Sequence, residues 1–146
     1  MMTAVVDTNV VASGVVGILE PASPPGAMLR AWQRSRFALI MSEPMMAEFD
    51  RTLTKPYFRR KLHEPGVADA IEAVHRDATL VAISVPVHDV ASHREDDVVL
   101  ATAISAGADY LVTGDRQLQL LGTIDGIAIV SPREFLDVLA SGPPED

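Results

Sequence analysis

The chain contains no cysteine. Disulfides, thiolate zinc sites and cysteine nucleophiles are therefore excluded, and the composition fits a reducing cytoplasm. Aromatic residues are scarce, at 5%, although hydrophobic residues reach 48%. The core must then be built from Val, Leu, Ile, Ala and Met, a mix that suits the buried strands of a parallel sheet. No run of about 18 apolar residues is present, so no membrane span is expected. The N-terminus lacks a basic-then-apolar leader pattern, because Asp7 interrupts the first apolar run. Basic charge is also in short supply. Twelve Lys and Arg stand against 20 Asp and Glu, for a formal net charge of −8. That balance argues against a broad electrostatic grip on nucleic acid. The surplus acid serves either plain solubility or a concentrated pocket that holds cations.

The 146 residues fit one domain, large enough to bury a core without staples. Apolar runs of strand length occur at Thr3–Val6, 37–41, 79–85, 109–113 and Ile127–Val130. Helical spacing covers residues 9–16, 27–36, 43–54, 57–63, 66–76, 96–106, Arg116–Leu121 and 132–139. Thr8 or Asn9 is expected to cap the first helix, and Ser42 the third, with Pro44 tolerated in its first turn. Residues 17–26, with three prolines and two glycines, read as a loop, and residues 86–95 as a polar loop. Residues 1–140 are expected to form the domain, and 141–146 a flexible, proline-containing tail. Strands alternating with helices predict an α/β fold with a parallel sheet.

Open α/β sheets bind ligands beyond the carboxyl ends of their strands. Asp7 closes the first predicted strand and Asp115 follows the fourth. Asp97 lies in the first turn of its helix, and Glu48 within the helix after the second strand. Taken singly, each acid has an ordinary explanation as a turn, cap or solvated-face residue. Four separate elements, however, each bring a carboxylate toward the region where this fold class builds sites. Carboxylates so gathered repel unless a cation neutralises them, and an all-oxygen set favours Mg2+ or Mn2+ over Zn2+. Ions of that kind support phosphodiester hydrolysis.

Four segments carry a family resemblance. Asp7-Thr8-Asn9-Val10 after a short strand resembles the opening motif of PIN domains. Ser42-Glu43-Pro44-Met45-Met46-Ala47-Glu48-Phe49 resembles the second, in which a helix bears one acid. Asp96-Asp97-Val98-Val99-Leu100-Ala101-Thr102-Ala103, followed by Gly107-Ala108-Asp109-Tyr110-Leu111-Val112-Thr113-Gly114-Asp115, resembles the third and fourth. The ordered set spans nearly the whole chain and is most similar to VapC-like PIN toxins of bacterial toxin–antitoxin systems. The resemblance implies a three-layer α/β/α sandwich with a five-stranded parallel sheet. It also implies an endoribonuclease that uses Mg2+ or Mn2+ on single-stranded RNA, a cognate antitoxin partner and a homodimer. By position it assigns metal ligation to Asp7, Glu48, Asp97 and Asp115, with Thr8, Asn9, Asp96 and Thr113 in support. Of the adjacent pair, Asp97 stands three residues before Leu100, as the family pattern has it.

Other residues admit two readings. Lys55, Arg59, Arg60 and Lys61, with Tyr57 and Phe58 among them, are either an RNA-guiding patch or a solvated helix face over two core aromatics. His88 and His93 are loop residues or proton carriers. Trp32, Met45 and Met46 serve packing or an interface. Two rival functions share the fold class. An aspartyl-phosphate phosphatase or phosphotransferase would use Asp7 as nucleophile, but Asn9 stands where the haloacid-dehalogenase pattern has a second Asp. A non-catalytic PIN-like module would bind RNA or protein without cutting.

Overall fold

A computed structural model describes residues 1–85, 87 and 94–141, without the side chains of residues 94–96. The elements run β1 (Thr3–Val6), α1 (Thr8–Val16), α2 (Pro24–Gln33), β2 (Ala38–Met41), α3 (Glu43–Leu53), α4 (Pro56–Arg59) and α5 (Val67–Asp77). They continue with β3 (Thr79–Leu80), α6 (Arg94–Ala106), β4 (Tyr110–Val112), α7 (Arg116–Leu121), β5 (Thr123–Ile124), β6 (Ile127–Val130) and α8 (Pro132–Ser141). Strand order is β3-β2-β1-β4-β6-β5. Every neighbouring pair is parallel except β5 with β6. The α/β expectation holds, with one correction: the sheet has six strands rather than five, because a short antiparallel strand joins the parallel five.

The chain steps from β1 outward to β3, and α6 then carries it back to β4 on the other side of β1. Right-handed crossovers put the connecting helices before the reversal and those from α6 onward on opposite faces of the sheet, which gives the three layers, while α8, after the last strand, packs back on α2. α1 packs on α2, α3 and α5, α2 packs on α8, and α6 lies along β1, β2 and β4. The central strands are buried almost completely: Val5, Leu39, Leu111 and Ile129 face neighbours on both sides. Phe135 of α8 meets Phe37 and Tyr110 edge-on, with ring centroids 5.0 and 5.4 Å apart. Truncating such a ring to alanine costs about 3–5 kcal/mol. Among the described residues, no helix is long and apolar enough to cross a membrane.

Several local expectations are corrected by competing contacts. α2 starts at Pro24, inside the expected loop. Ser23 caps it through a bond from the Gly26 amide at 3.0 Å, and the two prolines occupy first-turn positions that need no donor. Gly26 lies against the Gly17 carbonyl oxygen, where a Cβ would collide. Neither Thr8 nor Asn9 caps α1; Asp7 holds the cap position, with no side-chain cap bond. Ser42 is the cap residue of α3, but its hydroxyl makes no cap bond and pairs with Thr102 instead. β3 pairs only over Thr79–Leu80, with Val81 giving one further bond to Met41. Beyond that, the Ser84 and Val85 amides turn to the Ser105 hydroxyl, at 2.9 and 3.1 Å, and leave the sheet. The basic helix is shorter than expected, ending at Arg59, and α6 begins earlier, at Arg94. Ser141 belongs to α8, so the helix takes in one residue of the expected tail; residues 142–146 lie outside the described residues, as do His88 and His93.

Candidate active site

Asp7 follows β1 directly, and its amide bonds to the Val112 carbonyl of β4 at 2.8 Å. That bond carries the β1–β4 pairing one residue past the strand and fixes the start of the Asp7 side chain at the carboxyl edge. The residue is only 9% exposed. Its Oδ2 accepts a hydrogen bond from Thr113 Oγ1 at 2.9 Å, and the backbone amides of Thr8 and Asn9 lie near enough to favour the charged form. Burial pushes the Asp7 carboxyl above its ordinary value of 3.8, and the nearby charge of Asp115 adds to the rise. The Thr113 bond and the nearby Thr8 and Asn9 amides oppose that shift without overcoming it.

Thr113 is fully buried. Its hydroxyl also accepts from the Asp115 amide at 3.0 Å, and its carbonyl accepts from the Gln119 side chain at 2.7 Å. Asp115 caps α7: its Oδ1 takes the Gln117 and Leu118 amides at 2.8 and 3.1 Å. The ordinary capping role and a site role are thus compatible, since both bonds fall on one oxygen.

Glu48 lies on α3. Its Oε1 receives two bonds from Arg51, at 3.2 Å from Nε and 2.7 Å from Nη2. Asp7, Glu48 and Asp115 line one cavity of about 650 Å³, together with Thr8, Asn9 and Lys55. Three of the four expected acids thus line one cavity at the carboxyl edge of the sheet.

Asp97 does not line that cavity, and its placement follows from α6. Ser42 Oγ and Thr102 Oγ1 lie 2.8 Å apart in the core. Because Ser42 follows β2, Thr102 is level with the carboxyl end of that strand. Asp97 is five residues earlier, about 7.5 Å toward the helix N-terminus, on the same edge as Asp7. Val98 and Val99 line a smaller cavity of about 90 Å³ that shares Thr8 and Glu48 with the larger one. Asp97 is half-buried; the Asp96 side chain lies outside the described residues. Among the described residues, no three His, Asp or Glu side chains stand close enough to hold a metal ion as a group.

One neighbour of the acids, Arg51, was not singled out from sequence. It stands three residues after Glu48 on α3, the spacing that keeps side chains on one helical face. That periodicity was the signal that could have found it.

Comparison with known proteins agrees with this layout. The sequence profile of the PIN domain family matches residues 3–117. A chain from the crystal structure of VapBC2 from Rickettsia felis bound to a DNA fragment from their promoter superposes with a TM-score of 0.57 at 12% identity. The alignment covers 89% of this chain and 98% of that one. At that identity the likeness speaks for the fold alone. No curated protein sequence matches the chain.

Proposed function

The chain belongs to the PIN domain family, and from that premise we propose that it is a metal-dependent endoribonuclease acting on single-stranded RNA, the toxin of a toxin–antitoxin pair. The observation that carries the reading is the meeting of Asp7, Glu48 and Asp115 in one cavity at the sheet's carboxyl edge. A buried Asp7 whose ionisation is opposed by burial and by Asp115 is a group that gains from a nearby cation. The donors are all carboxylate oxygens, which suit Mg2+ or Mn2+. Asp7, Glu48, Asp97 and Asp115 are the proposed ligands, with Thr8, Asn9, Asp96 and Thr113 in support.

When bound, such an ion lowers the pKa of water and neutralises charge at a phosphodiester. The chain's own contribution is orientation. Thr113 aims the Asp7 carboxylate, and the α7 amides hold Asp115 by one oxygen. Arg51 holds Glu48 by one oxygen, Oε1, which leaves Oε2 for an ion.

The neighbour from Rickettsia felis is part of a VapBC2 assembly, which supports a cognate antitoxin as partner. A homodimer and a cytoplasmic location complete the proposal, the latter consistent with the lack of cysteine. Residues 1–140 form the working domain in this reading.

The test is cleavage of varied single-stranded RNAs in Mn2+ and in EDTA, with Asp7→Asn and Asp97→Asn as controls. Cleavage that needs Mn2+ and is lost in both variants is expected. Wild-type protein no faster than the variants would end the nuclease reading and leave a binding module.

A further inference from the structure

The basic segment after α3 has two faces, and the structure separates them. Phe58 is half-buried and packs against the core, which anchors α4. Tyr57 is 52% exposed and touches Phe58 edge-on, at 5.0 Å between centroids and 87° between planes. One of the two aromatics is therefore a packing residue and the other presents its ring to solvent. One cation lies beside that ring. Lys61 Nζ lies 5.6 Å from the Tyr57 centroid. Lys55, Arg59 and Arg60 are exposed, and among the described residues none has an acidic partner within 4.0 Å. Lys55 also lines the acidic cavity beside Asp7, Glu48 and Asp115.

Both lysines of the chain fall in this segment. Elsewhere four of the eight arginines are committed: Arg51 and Arg76 pair with acids, and Arg30 and Arg36 bond to backbone carbonyls. In a chain of net charge −8, a polyanion would be repelled from most of the surface. The exception begins at the rim of the acidic cavity and runs along α4.

We propose that Lys55, Tyr57, Arg59 and Arg60 form the seat on which a single-stranded RNA lies as it leads into the acidic cavity. The cations meet successive phosphates, and the Tyr57 ring stacks on a base. Lys55 joins the seat to the cavity and draws the strand toward the acids that would otherwise repel it. An exposed ring beside the cations favours a strand with bases over an acidic peptide, which has no flat group to stack. The inference rests on the ribonuclease reading for the identity of the strand.

The probe is a fluorescein-labelled single-stranded RNA of mixed sequence, about a dozen nucleotides long, bound in EDTA and followed by anisotropy. Replacing Lys55, Arg59 and Arg60 together with glutamine is expected to weaken binding more than tenfold. The slope of log K against log salt should flatten by about 2, at roughly 0.7 for each phosphate no longer neutralised. Tyr57→Leu should weaken binding about fivefold or more, and Tyr57→Phe, which keeps the ring, less than twofold. Unchanged affinity and slope in the triple variant overturn the proposal. So does competition by polyglutamate as effective as that by RNA, which would assign the patch to an acidic peptide. Cleavage of the same RNA in Mn2+ is measured in parallel. Cutting with unaltered binding in the variants sinks the seat alone; binding that depends on the seat without any cutting sinks the nuclease reading alone.

Discussion

Thr113 donates its hydroxyl hydrogen to Asp7 across 106 residues of sequence, at 2.9 Å, while the same oxygen receives the amide of Asp115. One buried hydroxyl therefore sets the distance between two carboxylates from different strands. A side chain of equal shape without that hydroxyl isolates its role. Thr113→Val should lower Mn2+-supported cleavage and Mn2+ affinity by about 10- to 100-fold, as loss of a group that orients a ligand does. Stability should fall by about 1.5–3 kcal/mol, because a buried carboxylate loses its donor. Thr113→Ser should recover most of both. Calorimetric Mn2+ titration and denaturant unfolding provide the two readouts, and a valine variant with wild-type Mn2+ affinity would refute the positioning role.

The raised pKa of Asp7 makes metal-free stability depend on pH. In the unfolded chain the group ionises near its ordinary 3.8, and in the folded protein it ionises at higher pH. Between those values the native state holds the extra proton. Stability therefore falls as pH rises through that window and stays reduced above it. Asp7→Asn removes the ionisation, so in EDTA the variant should melt above wild type at neutral pH. The difference should shrink as pH drops below the ordinary aspartate value. Thermal melts across the acid range check this, and a gap that does not change with pH contradicts it.

Arg51 occupies one of the two Glu48 carboxylate oxygens and so competes with a cation for the group. The arginine side chain is 66% exposed, so the pair contributes only about 0.2–1 kcal/mol. Arg51→Gln should leave the unfolding midpoint nearly unchanged and tighten Mn2+ binding by at most about fivefold, the same range expressed as affinity. Calorimetry decides it. Weaker binding in the variant would mean that Arg51 orients Glu48 instead of occupying it.

Ser42 and Thr102 share a buried hydrogen bond that sets how far α6 reaches past the sheet. Thr102 gives its own hydrogen to the Val98 carbonyl at 2.8 Å, so Ser42 is the donor between them. Ser42→Ala or Thr102→Val alone should cost about 1–3 kcal/mol, since one buried group is left without its partner. The double variant should cost less than the sum, with a coupling of about 1 kcal/mol by double-mutant cycle. Strict additivity would show that the two hydroxyls do not interact.

The layered architecture was legible because its strands are short, aliphatic and separated by helical spacing. Thr3–Val6 and Ile127–Val130 emerge with the bounds read from sequence. The acids were legible because three of them stand beside strand ends or helix starts. What was missed depended on partners remote in sequence. The pull of Ser105 on the Ser84 and Val85 amides shortens β3, and the Thr102 hydroxyl diverts Ser42 from its capping bond. β5 had a local signal, the Asp125-Gly126 pair between Thr123-Ile124 and Ile127-Ala128. Both adopt positive φ, 49° and 79°, as a two-residue hairpin turn of the primed type requires.

The two outer strands of the sheet, β3 and β5, contain two residues each. A sheet bounded in this way offers an incoming strand almost no ladder of free amides and carbonyls to copy, which protects it against stacking end-on with other chains. Association must then run through helices and loops, and the growth of one sheet into another is closed off at both margins.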